Sequence, residues 1–110
     1  MEEPKLAYID YTHFGALMVI QLRENRIDVA GASSLDDFLS RHDLKEFPVL
    51  LFHPGVKQQH FVSKVMKDYP HLKVAFVTSP TSGGDYFGSD LLVFSYDSVK
   101  AIEEFVRKNQ

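Results

Sequence analysis

Cysteine is absent from all 110 residues, which excludes disulfides, thiol catalysis, thiolate zinc sites and iron–sulfur clusters and suits a reducing compartment. No stretch approaches about 18 continuous apolar residues, so no membrane-spanning helix is expected. The first residues, Met1-Glu2-Glu3-Pro4-Lys5, lack the basic flank and apolar run of a secretion signal, and the expected location is cytoplasmic. Basic side chains are outnumbered, 12 Lys and Arg against 15 Asp and Glu for a net charge of −3, and they are dispersed. That leaves no footprint for direct nucleic-acid binding. What remains is the composition of an ordinary globular chain, 45% hydrophobic and 25% charged, with a length that suits one domain over residues 1–110. Such a chain buries a core without help from a cofactor.

Two hydrophobic periods alternate along it. Residues 6–9 form a short apolar run, and Phe14, Leu17, Met18 and Leu22 then recur at helical spacing until Glu24-Asn25. Residues 27–30 read as a second strand. Ser34, three residues before Asp37, opens a helix with Leu35, Phe38, Leu39 and His42 on one face. Residues 48–52 are continuously apolar, as in a strand covered on both sides, and His53-Pro54-Gly55 stops them. A third helix has Phe61, Val62, Val65, Met66 and Tyr69 on its inner stripe and ends at Pro70. Residues 74–77 are a fourth strand, residues 79–90 a breaker-rich loop, residues 91–94 a fifth strand, and Val99, Ile102 and Val106 mark a last helix. Strands alternating with helices predict an α/β, doubly wound, five-stranded parallel sheet. Chemistry in such folds gathers beyond the carboxyl ends of the strands, here Asp10-Tyr11, residues 31–33, His53-Pro54, Thr78-Ser79 and Ser95-Tyr96.

The order of these residues resembles the response-regulator receiver domain, the CheY-like phosphoacceptor module of two-component signalling, over nearly the whole chain. Tyr8-Ile9-Asp10 resembles the end of the first strand, Val29 to Leu39 the second strand and its helix, and Lys67 to Thr78 the third helix end and fourth strand, with Thr78 in the place of the switch hydroxyl. The resemblance also shows departures. Counted without gaps, His53 falls where the family has its acceptor aspartate, while a second register puts Leu50 there. The first is preferred because it leaves Pro48 at the start of the strand, where a missing amide donor is tolerated. Of the family's acidic pair only Asp10 is kept, with Tyr11 in the second position, and the lysine at the end of strand five is replaced by Ser95 or Tyr96. The fourth helix of the family is expected to be short or missing across residues 79–90.

Phosphorylation of a receiver needs a carboxylate nucleophile, a hard cation on oxygen ligands and a counter-charge for the phosphoryl group. Nucleophile, one metal ligand and lysine are lost together, so the expectation is a degenerate, non-phosphorylatable receiver with no enzymatic activity, no cofactor and no metal. In its vacated pocket, formed by Asp10, Tyr11, His53, Thr78, Ser95 and Tyr96, His53 is expected to hydrogen-bond Asp10 or Thr78. Asp10 is expected to cap the following helix or to pair with His53, and Thr78 and Ser79 to satisfy loop backbone. His13, His42, His60 and His71 show no paired metal spacing. Tyr86, Phe87, Tyr96 and Phe105 are candidate anchors for a protein partner or a second copy of the chain. Two other readings stay open. One is a phosphohistidine carrier using His53 in a phosphorelay. The other is a small-ligand module on a flavodoxin-like scaffold, although Asp10 to Gly15 lacks the hydroxyls and glycines of a flavin phosphate loop.

Overall fold

In strand β1 (Lys5–Ile9) every side chain after Lys5 is buried, which requires cover on both faces of the sheet. The computed structural model describes residues 3–53, 59–78 and 92–110, and in it that cover is provided. Strands β2 (Asp28–Ala32), β3 (Val49–Phe52), β4 (Lys73–Thr78) and β5 (Leu92–Ser95) join β1 in one all-parallel sheet of order β2-β1-β3-β4-β5. Helices α1 (His13–Glu24), α2 (Leu35–Arg41), α3 (Gln59–Asp68) and α4 (Val99–Lys108) lie on its two faces, with a 3-10 turn at Leu44–Glu46. The doubly wound α/β architecture expected from the sequence is therefore the observed one.

Period-two alternation sorts the core into two layers. Leu6 and Tyr8 of β1, Val49 and Leu51 of β3, and Ala75 and Val77 of β4 pack with Met18 and Leu22 of α1 and Ile102 and Val106 of α4. Their strand neighbours, Ala7, Ile9, Leu50, Phe52, Val74 and Phe76, turn to the opposite face and pack with Phe38 of α2 and Val65 of α3.

Several helix faces differ from the sequence expectation. On α1 the buried positions are Gly15, Met18 and Leu22, while Phe14 and Leu17 are 57% and 59% exposed. Leu39 and Met66, expected inside, also lie at the surface, whereas Phe38 and Val65 are buried. The side chains of Phe61 and Val62 and the whole of residues 79–90, with the expected short fourth helix, Tyr86 and Phe87, lie outside the described residues. Ile27 is not part of β2. It closes the end of α1, donating its amide to Leu22 while Arg26 bonds Arg23, and Arg26 takes the left-handed conformation at φ 64° that glycine adopts most cheaply.

Strand β2 is an edge, and its outward carbonyls are occupied. Arg23 of α1 donates to the Val29 oxygen at 2.8 Å and Arg41 of α2 to the Gly31 oxygen at 3.1 Å. Pro48 immediately precedes β3 and gives only its carbonyl, to Lys73, as its missing amide requires.

Candidate functional site

The parallel ladders run one residue past the strand ends. Asp10 donates its amide to Ala32, His53 to Ile9 and Tyr96 to Thr78, which fixes three of the expected pocket residues side by side at the carboxyl edge of the sheet. His53 follows the last residue of β3, whereas Leu50 is buried in the middle of that strand. His53 therefore reaches the carboxyl edge of the sheet and Leu50 does not.

Asp10 is the centre of the cluster and is buried. Its Oδ1 accepts from the Thr12 amide at 2.8 Å and the Thr12 hydroxyl at 2.7 Å, and its Oδ2 from the Tyr8 hydroxyl at 3.0 Å and the Tyr96 hydroxyl at 2.6 Å. An ionised carboxylate offers about four lone-pair directions, and these four donors fill them. Tyr8 reaches Asp10 because residues i and i+2 of a strand share a face. Thr12 is the N-cap of α1, its hydroxyl oxygen accepting from the Gly15 amide at 3.2 Å while its proton goes to Asp10. The Thr12 and Tyr96 hydroxyls lie 3.1 Å apart, each with a proton to direct at the same carboxylate.

Helix α1 sits so tightly on this cluster that a Cβ at Gly15 would fall 2.4 Å from Cγ of Asp10. Only glycine fits there. Burial, reinforced by the Asp10 charge and hydrogen bond, holds the Tyr8 hydroxyl far above the usual tyrosine range. Burial and the Asp10 hydrogen bond do the same for Tyr96. Both phenols therefore remain donors.

His53, at the end of β3, does not bond Asp10. Asp10, expected as its partner, is filled by Tyr8, Thr12 and Tyr96, and Nδ1 of His53 is buried with no hydrogen-bond partner among the described residues. The ring is held by aromatic contacts, edge-on to Tyr11 at 5.2 Å and nearly parallel to Tyr96 at 6.3 Å. Asp10 likewise is not the helix cap itself; it bonds the residue that is. Tyr11 is 57% exposed and leans on His53 rather than on Asp10. Thr78 ends β4 in register with Ser95 and is buried, while the Ser95 hydroxyl accepts from the Asp97 amide and so shapes the turn into α4.

A hard cation does not fit this donor set. Among the described residues no group of three or more acids and histidines converges, and the single carboxylate has its oxygens taken by protein donors. No lysine or arginine among the described residues pairs with Asp10. The tyrosine hydroxyls answer its charge instead. The partner-surface candidates Tyr96 and Phe105 are only partly exposed: Tyr96 packs against Phe14 at 5.3 Å, and Phe105 against Phe94 at 5.4 Å.

Sequence reasoning did not single out Tyr8, and alternation along β1 was the signal that pointed to it, since a tyrosine two residues before a strand-end acid lies on the same face. Gly15 was missed as well, because an apolar stripe is read from side chains and glycine has none.

The strand order is that of the flavodoxin-like, CheY-like fold. A response regulator from Thermotoga maritima has this fold, with a TM-score of 0.70, 16% sequence identity and 96% of each chain covered. No protein-family model matches the chain, nor does any curated protein sequence. Among the described residues no helix is long and apolar enough to cross a membrane.

Proposed function

We propose that this chain is a receiver-like signalling module that has lost phosphotransfer and acts by binding a protein partner or a second copy of itself. The observation that carries the reading is the saturation of Asp10, whose oxygens accept from Thr12, Tyr8 and Tyr96. In a working receiver this carboxylate holds the cation that neutralises the incoming phosphoryl group. Here a tyrosine from the end of β5 and a tyrosine from β1 replace the cation with fixed, uncharged donors. In the preferred register the position of the acceptor carries the imidazole of His53 in place of a carboxylate nucleophile, with its Nδ1 buried. Such a pocket has one resting arrangement and works as a rigid floor beneath α1. Its activity is then recognition rather than catalysis, in a two-component-type regulatory pathway.

The test is incubation with acetyl phosphate and magnesium, read by intact mass and by backbone amide spectra. An unchanged mass and unmoved amide signals at Asp10 and His53 are expected. A mass gain of one phosphate, stable to hydroxylamine or not, overturns the reading; acid-labile phosphate on His53 would replace it with the phosphorelay carrier.

A further inference from the structure

We propose that two copies of this chain pair through the outer face of α1, antiparallel about a two-fold axis; this rests on the reading of the module as a binding element and names its partner and surface. The helix carries no Asp, Glu, Lys or Arg from His13 to Leu22, and its outer face leaves Phe14, Leu17 and Ile20 at 57%, 59% and 53% exposure, with Tyr11 at 57% above them. These four side chains present about 400 Å² of apolar surface, the size at which patches on a lone domain become functional. Two copies covering it, with the rim around it, bury about 1,200 Å², the lower bound for a specific complex.

The pattern along the helix names the occupant. His13, Leu17, Ile20 and Glu24 are all exposed and follow one another at intervals of four, three and four, the spacing of a seam between paired helices. A two-fold antiparallel pair sets Leu17 of one copy against Ile20 of the other and His13 against Glu24 at both ends. Parallel pairing would set histidine on histidine and glutamate on glutamate.

Glu24 also sits where its own helix disfavours it, at the C-terminus of α1, where the dipole is negative. His13 lies at the opposite end, with ring nitrogens that can donate to a carboxylate. Against an antiparallel copy each meets the opposite pole. A charged foreign surface finds no counter-charge between these ends, whereas this chain supplies the matching apolar face itself.

The experiment is sedimentation equilibrium of the full chain from micromolar to millimolar concentration. A dimer with a micromolar Kd is expected, in keeping with the small area. Leu17→Glu, at a surface position that leaves the core intact, should give a folded monomer by circular dichroism. His13→Glu should weaken pairing about tenfold by opposing Glu24 of the other copy, and His13→Glu with Glu24→Lys should restore it. A monomer at every concentration, a dimer untouched by Leu17→Glu, or no rescue in the double variant overturns the proposal. Phosphate incorporation by a protein that still pairs would instead overturn the functional reading and leave this one standing.

Discussion

Helices α1 and α4 cover the same face of the sheet and differ on the side away from it. Each buries residues that reach Tyr8, Leu51 and Val77, Met18 and Leu22 from α1, Ile102 and Val106 from α4. Outside, α4 shows Lys100, Glu104, Arg107 and Lys108, as a solvated helix should, and α1 shows Phe14, Leu17 and Ile20. Equal inner faces with unequal outer ones mean that the apolar outside of α1 contributes little to the fold of a single copy, and the pairing proposed above would cover it.

The largest effects should come from breaking what the two helices share. Met18→Ala and Ile102→Ala are each expected to cost about 3 kcal/mol in urea unfolding, since both side chains are buried and leave a cavity under a helix. A cost confined to one of them would show that the two helices do not contribute equally to the cover of this face.

A smaller effect tests the tie between them. Tyr96, in the turn that leads to α4, reaches Asp10 beneath α1, and Tyr96→Phe should cost about 1.5 kcal/mol near neutral pH by removing one charge-assisted bond. The pH dependence has a definite sign. Tyr8 and Tyr96 keep their protons to higher pH in the folded chain than in the unfolded one, so above about pH 10 the unfolded state binds fewer protons and stability falls as pH rises. Unfolding free energy from urea titrations should decline above about pH 10 with a slope that approaches two protons, and one proton in Tyr96→Phe.

The smallest effect concerns how the helices end. The turn after α4 stays at negative φ, with Asn109 at −109°, whereas α1 is followed by Arg26 at +64°. Arg26→Gly should stabilise the protein by about 1 kcal/mol, read as a higher thermal midpoint.

The strands, the parallel sheet and the position of His53 at its edge were legible because each rests on a local signal: continuous apolar runs, breakers after them, and a proline where no amide is needed. The face of α1 was not. Phe14, Leu17, Met18 and Leu22 make as good a helical stripe as Gly15, Met18 and Leu22, and only the close approach of Asp10 to Gly15 decides between them. Asp10 itself was found, but its partners were misassigned to His53. The bond from Tyr8 follows the two-residue alternation of β1, but the bond from Tyr96 depends on strand register and on a hydroxyl reaching over the sheet edge, which no spacing in the chain encodes.

The arginines on β2 have a consequence for how this sheet meets other chains. An extended peptide docks on a sheet by exchanging hydrogen bonds with a bare edge, and the same bareness lets proteins stack into fibres. Arg23 and Arg41 already hold the Val29 and Gly31 carbonyls that such a visitor would use. The β2 side is thereby partly closed to lengthening of the sheet, and a ligand that arrives as a strand has to unseat two guanidinium groups to use those carbonyls.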